Sequence, residues 1–397
     1  MKALVLAGGT GSRLRPLTHT LAKQLIPLAN KPVVHYGIEA IVAAGISEIG
    51  VVVGGAAREL RDAVGDGSGF GARITYLVQE RPLGLAHAVR VARDWLGEDD
   101  FLMYLGDNYL SNGVTDLMAR YRAERAAGPA VAWLLLAKAA DPTGLGIAEV
   151  APDGTVVGLQ EKPAEPRSDL AVAGAYLFTP AVHEAIAAIR ASARGELEIT
   201  DAVQRLIDSG RTVRGSLLTG YWKDTGTAED LLEANNTVLE GIEHAVHGEV
   251  DADSEIIGPV RIGAGASIVR SRVVGPAVIG AGVRVRDSVV GPFASVADGC
   301  RITASAVRSS ILLDAVRLDG AGPVENSLLG RHAHVSGPGP GARARRLVLG
   351  DHSVVTEAPH PPDGPARPPI ESLKSPKSPK SLTSPEDRAQ EGLVGTA

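Results

Sequence analysis

Glycines set beside cations, and carboxylates set just after apolar runs, are the features of this chain best suited to chemistry. Gly8-Gly9-Thr10-Gly11-Ser12-Arg13-Leu14-Arg15-Pro16-Leu17-Thr18 follows the apolar run Ala3–Ala7, and Lys23-Gln24 comes shortly after. Glycines directly behind a strand let the backbone bend tightly and turn its N–H groups toward an anion. Arg13 adds a planar fork that can grip phosphate through two bonds, and Lys23 adds a compact charge. The loop is neither a dinucleotide fingerprint, which needs Gly-x-Gly-x-x-Gly, nor a P-loop, which closes on Gly-Lys-Ser/Thr. Asp107, in Gly106-Asp107-Asn108, follows the apolar run Phe101–Leu105, so its carboxylate is placed at the ligand edge of that strand.

These segments resemble the motif set of the sugar nucleotidylyltransferase superfamily. The glycine loop with Lys23-Gln24 resembles its phosphate-binding signature. Gln79-Glu80-Arg81-Pro82-Leu83-Gly84-Leu85-Ala86-His87-Ala88 resembles the base-reading segment, and Gly106-Asp107-Asn108 the first metal segment. Glu161-Lys162-Pro163 resembles the sugar-phosphate segment, and Trp222-Lys223-Asp224-Thr225-Gly226-Thr227 the second metal segment. With the C-terminal repeat described below, the pattern is similar to the long-form glucose-1-phosphate thymidylyltransferases.

The resemblance implies transfer of a nucleoside monophosphate from dTTP to glucose 1-phosphate, with Mg2+ held by Asp107 and Asp224. Arg13, Lys23 and Lys162 would be the catalytic cations. Gly8, Gly9, Thr10, Gly11, Ser12, Gln24, Gln79 and Gly84 would bind the nucleotide, and Asn108, Gly146, Glu161, Lys162 and Val172 the sugar. Physical reasons support such a set. Two anionic phosphates repel by several kcal/mol at short range unless cations intervene, and a carboxylate-held divalent ion supplies one remedy. The phosphate nucleophile is already ionised at neutral pH, so no general base is needed, and catalysis reduces to positioning and electrostatics. Gln79 carries a donor and acceptors suited to the imide edge of thymine or uracil. Leu145 stands where the resembling segments have an aromatic before Gly146, and a plain core position is an equal reading of Val172. His87 and Trp222 receive no role.

The elements that must position these residues follow from the apolar pattern. Ala3–Ala7, Ile49–Val53 and Phe101–Leu105 read as buried strands, and Val34, Ile38, Ile41 and Val42 recur at helical spacing before a stop at Gly45. Alternating strands and helices predict a Rossmann-like α/β domain, a mixed, mostly parallel sheet with helices on both faces, over residues 1–241. Ligands of such sheets sit beyond the carboxyl ends of the strands. Over 248–355 an aliphatic residue recurs about every six positions, with Ile262, Ile268 and Val274, then Ile279 and Val285, then Val290, Val296 and Ile302. That period predicts a left-handed parallel β-helix, with a sandwich of short strands as the competing reading. The coils' open ends and flat faces predict a homo-oligomer. From 358 to 397 the Pro, Ser and Lys content predicts a disordered tail.

Bulk properties narrow the classes further. The chain has 397 residues, 44% of them apolar, and a formal net charge of -6, which argues against nucleic-acid binding. The single cysteine, Cys300, excludes an intramolecular disulfide, and no apolar run has membrane-spanning length, so a cytoplasmic enzyme without a membrane partner is expected. UTP or another hexose 1-phosphate remains an alternative substrate. Acetyl transfer in the C-terminal coils, using His332, His334 or His352, and a non-catalytic scaffold are the readings from other classes.

Overall fold

The computed structural model describes residues 1–126, 128–337 and 343–357, so the tail expected to be disordered lies outside the described residues. Strand β1 (Lys2–Ala7) is buried from Ala3 onward, as a central strand covered on both faces must be. Helix α1 (Val33–Ala43) buries Val33, Val34, Ile38 and Ile41, and Gly45, at φ 88°, takes the left-handed conformation just past its end. Strand β2 (Glu48–Val53), helix α2 (Ala57–Val64), strand β3 (Arg73–Val78), helix α3 (Leu85–Val91) and strand β4 (Phe101–Leu105) continue the alternation. β1 lies between β2 and β4, parallel to both, with Ala3 opposite Ile49 and Leu102.

Beyond β4 the sheet changes direction. After β5 (Asn108–Leu110) and α4 (Thr115–Arg125) come β6 (Ala130–Lys138), β7 (Gly146–Val150), β8 (Val156–Glu161) and β9 (Leu170–Phe178). β9 runs antiparallel to β4, β6 and β7, giving the order β8-β7-β9-β4-β1-β2-β3, with β6 also on β9. Helix α5 (Ile199–Asp208) and strand β10 (Thr212–Leu217) follow, and β10 pairs with β6 in parallel. The sheet is therefore mixed, parallel in its first half. One apolar cluster, including Val5, Ile38 and Leu117, covers one face, and another, including Leu4, Val89 and Val203, covers the other. A separate ribbon pairs β11 (Trp222–Asp224) antiparallel to β5, and helix α6 (Ala228–Glu240) starts from it behind a capping box of Thr227 and Asp230.

The C-terminal region is a stack of short parallel strands. Ile262 lies opposite Ile279 and Ile279 opposite Val296, each seventeen positions along. Ile268, Val285 and Ile302 form a second row, and Val273 and Val290 belong to a third. All of these are at most 1% exposed. The six-residue spacing therefore needs one correction: the inward residue is Val273, and Val274 is only half-buried. From Ile262 to Val296 the paired rows recur every seventeen residues, because the step from Ile268 to Val273 is five where its neighbours are six.

This stack shares its core with the sheet domain. Val278, Ile311 and Leu328, adjacent to inward-facing Ile279, Leu312 and Leu329, point outward and pack on residues of the N-terminal region. Asn235 of α6 is fully buried there, and its Oδ1 accepts from the Ala29 backbone N–H at 2.9 Å and from Ser295 Oγ at 2.7 Å. By their contacts the described residues form one compact unit. No helix among the described residues is long and apolar enough to cross a membrane.

Candidate functional site

β1 and β4 end side by side, and Gly106 donates its N–H to Leu6 O at 2.9 Å. A Cβ on Gly106 would sit 3.1 Å from that oxygen, so a side chain there would make the two strand ends give by a few tenths of an ångström. The glycine loop and Asp107 thus emerge at one edge. Asp224 arrives through the small ribbon, where it lies directly opposite Asn108. Thr225 then locks the approach, donating both its N–H (3.1 Å) and its Oγ1 (2.7 Å) to Asp107 O. Two acidic residues remote in sequence are brought together by one strand pairing.

Their charges are strongly coupled. Burial and the neighbouring Asp107 push the Asp224 carboxyl up to about 6, partly opposed by Lys23 and Arg13. Lys23 donates to Asp107 Oδ2 in a close ion pair. Burial alone would lower the Lys23 pKa, but the Asp107 carboxylate outweighs it and the net shift is upward, so the ammonium stays charged. The loop glycines leave room for this lysine. A Cβ on Gly9 would press on Lys23 Cε at 3.0 Å, and one on Gly11, whose φ is 63°, on Lys23 Cβ at 3.0 Å. Arg13 lies over Gly226, where a Cβ would come within 2.6 Å of its guanidinium and 3.3 Å of Asp224 Oδ2.

A cavity of about 310 Å3 opens beside this cluster. Its walls include Gly8, Gly9, Lys23, Gln24, Gln79, Gly84, Asp107, Asn108, Glu161, Lys162 and Asp224, all singled out from sequence. Gln24, in the cavity wall, is 1% exposed and its Oε1 has no partner among the described residues. Asn108 is tied to the scaffold through its carbonyl oxygen. Its Oδ1 accepts from Trp222 Nε1 at 2.6 Å, and a Cβ on Gly174 would collide with that oxygen at 2.5 Å. Trp222 therefore holds Asn108, a role that sequence left unassigned.

The remaining predicted residues lie elsewhere. Thr10 and Ser12 are exposed and, with Gly11, Arg13 and Gly146, are not among the cavity walls. Gly146 sits opposite Glu161 in the β7–β8 pair, where a Cβ would meet Thr200 Cγ2 at 2.8 Å. Val172 is a core residue, 7% exposed and paired with Leu136, so the packing alternative describes its place. Gly84, at φ 100°, is needed because Leu197 O passes 2.4 Å from where a Cβ would be.

Sequence reasoning missed the far wall. Arg194 lines the cavity and donates to Glu161 Oε1 at 3.1 Å and to Glu198 Oε1 at 2.8 Å. Glu161 also accepts from Thr200 Oγ1 at 3.1 Å, and Lys162 Nζ stands 3.8 Å from Glu161 Oε1. The charged run Arg194-Gly195-Glu196-Leu197-Glu198 was the available signal. His332 and His352 stack on each other at 4.9 Å, and His334 Nε2 lies 2.9 Å from Asp319.

A mixed α/β sheet with cations and carboxylates converging at its carboxyl edge defines a phosphate-handling protein. The chain belongs to the nucleotidyl transferase family, whose sequence pattern matches residues 2–241. It is 56% identical over 353 residues to a glucose-1-phosphate thymidylyltransferase of Streptomyces griseus, covering 89% of this chain and 98% of that one. It is 45% identical over 357 residues to a low-salt glycan biosynthesis nucleotidyltransferase of Haloferax volcanii, covering 89% and 99%. A crystal structure from Bacillus anthracis, described as a glucose-1-phosphate thymidylyltransferase in complex with sucrose, superposes with a TM-score of 0.56 at 32% identity. That match covers 62% of this chain and 97% of the other, so the solved chain is matched almost whole by part of this one.

Proposed function

We propose that this enzyme transfers dTMP from dTTP to α-D-glucose 1-phosphate, releasing pyrophosphate and forming dTDP-glucose for deoxysugar synthesis. The observation that carries the reading is the meeting of Lys23, Asp107 and Asp224 beside one cavity, with Gln79 and with Glu161–Lys162 also in its wall. A phosphate oxygen of the sugar phosphate attacks the α-phosphorus, and the bond from that phosphorus to the pyrophosphate oxygen breaks. Lys23 and Arg13 offset the charge that builds on the departing pyrophosphate. Lys162 orients the incoming phosphate, while Glu161, held by Thr200 and Arg194, accepts from sugar hydroxyls.

The carboxylate pair fits Mg2+. Asp224 titrates high first because it is buried and then because Asp107 is beside it, and a divalent ion would offset both by supplying positive charge. Among the described residues no group of three or more metal-ligating side chains occurs, so Asp107 and Asp224 would supply two oxygens and leave positions for water and phosphate. When bound, the ion would neutralise phosphate charge and favour in-line displacement. We further propose that the C-terminal strands form a left-handed β-helix that mediates homo-oligomer contacts.

The deciding measurement is pyrophosphate release over a matrix of dTTP, UTP, dCTP, ATP and GTP against several hexose 1-phosphates. The reading expects the largest kcat/KM for dTTP with glucose 1-phosphate, and a preference for a purine triphosphate would overturn it.

A further inference from the structure

Gln79 is an amide whose two ends are alike in shape but opposite in hydrogen bonding, and its surroundings allow only one orientation. It is 6% exposed, and its Nε2 lies 3.2 Å from Gly84 O and 2.9 Å from His87 Nδ1. A backbone carbonyl can only accept, so the amide atom facing Gly84 O must be the nitrogen. Nε2 carries two hydrogens. One goes to Gly84 O and the other to His87 Nδ1, which must therefore offer a lone pair and carry its proton on Nε2. Burial, then the charges of Arg90 and Arg81, hold His87 below its ordinary pKa, in keeping with a neutral ring. Both donors of Gln79 are then used within the protein. Oε1 is the atom of this amide left uncommitted among the described residues, and it sits beside Gly8, where a Cβ would come within 3.0 Å of it. Gly8 and Gln79 both line the cavity.

From this geometry we propose that His87 is a positioning residue for nucleotide choice: by accepting from Gln79 Nε2 it makes Gln79 an acceptor-only reader. The inference rests on the dTTP-using reading above and deepens it. A base with an N–H on its ring edge, such as thymine or uracil at N3, donates to Oε1. Cytosine presents a lone pair at the same place and meets another acceptor. With His87 gone, only the 3.2 Å bond to Gly84 O holds the amide in this orientation; a flip of the whole amide then turns Nε2 toward the ligand, and cytosine gains a donor.

The test is kcat/KM for dTTP and for dCTP in the full-length enzyme and in His87→Leu and His87→Gln, with Tm recorded for each. His87→Leu is expected to lower the dTTP/dCTP ratio at least about tenfold, because a buried donor no longer has its partner. His87→Gln, whose own Oε1 can accept, is expected to restore the ratio to within about threefold of the parent, well inside the tenfold effect. General loss of structure would depress both substrates alike and leave the ratio unchanged. Should His87→Leu fail to fold, His87→Phe keeps a ring without a lone pair and decides the same point. An unchanged ratio in the apolar variant, or a ratio in His87→Gln as low as in His87→Leu, overturns the proposal while the nucleotide reading stands. A parent enzyme that turns over no pyrimidine triphosphate overturns both.

Discussion

Asp224 holds a charge where the fold resists it. Its ordinary pKa near 3.8 is pushed up to about 6, first by burial and then by Asp107. The unfolded chain releases this proton as pH rises through 4, whereas the folded chain keeps it until about pH 6. Folding therefore loses stability across that window, and the full penalty is present above it. Asp224→Asn removes the ionisation. It is expected to be about 1–3 kcal/mol more stable than the parent at pH 8, to show little gain at pH 4, and to have lost turnover. Thermal melts at the two pH values, with and without Mg2+, measure this. The parent should gain Tm from Mg2+ at pH 8, and the Asn variant should not. An Asn variant no more stable at pH 8 than at pH 4, relative to the parent, would contradict the assignment. Asp107 and Asp224 were legible in sequence because each sits in a local motif. Arg194 was not, since it lies 33 residues from Glu161 and meets it only through the path of its loop. Arg194→Ala should release Glu161 and crowd its charge with Glu198. A rise of about tenfold in KM for the sugar phosphate, with KM for the triphosphate little changed, is the expected result, corresponding to about 1.4 kcal/mol.

At the scale of elements, the parallel half of the sheet could be read directly. Phe101–Leu105 and Ile49–Val53 are continuous apolar runs, which is what strands buried on both faces require. The antiparallel half has apolar runs as continuous, in Ala130–Lys138 and Leu170–Phe178, but the insertion of β9 beside β4 in the opposite direction is a choice of topology rather than of local pattern. The ribbon of β5 and β11, with three residues in each strand, is too short to leave a period in the sequence, although it is what brings Asp224 to Asp107. The C-terminal repeat shows the opposite limit. Its anchors were legible, and so were the steps of five between groups, as from Val285 to Val290; one such step was placed a row late, so that the inward residue is Val273 and not Val274. Burial decides the consequence. Val273→Ala should cost about 1–3 kcal/mol, and Val274→Ala under about 0.5 kcal/mol. Equal losses in denaturant midpoints would show that this register is wrong.

The whole molecule ties these scales together, because helix α6 begins four residues after Asp224 and ends packed on the C-terminal stack. Its buried Asn235 bonds on one side to Ala29 and on the other to Ser295, so the carrier of the second carboxylate is clamped between the two halves. A second clamp lies nearer the glycine loop. Thr20 Oγ1 donates to Asp351 Oδ2 at 2.8 Å, and Gly350 sits so close to Pro16 that a Cβ would be 3.1 Å from its carbonyl oxygen. The family pattern matches residues 2–241, but Ile311, Leu313 and Leu328 of the stack, whose interior is a cluster of its own, are packed into the core of the sheet domain. Leu328 tests that claim, since it is 1% exposed and belongs to the cluster that contains Val5 and Ile38, while its neighbour Leu329 faces the interior of the stack. A carboxylate at 328 would be buried without a partner on the sheet-domain side. Leu328→Asp is therefore expected to destabilise by more than about 3 kcal/mol and to melt both halves in one transition. If the stack were an independent appendage, calorimetry would instead record two transitions, with the sheet domain melting at the parent temperature and turnover intact.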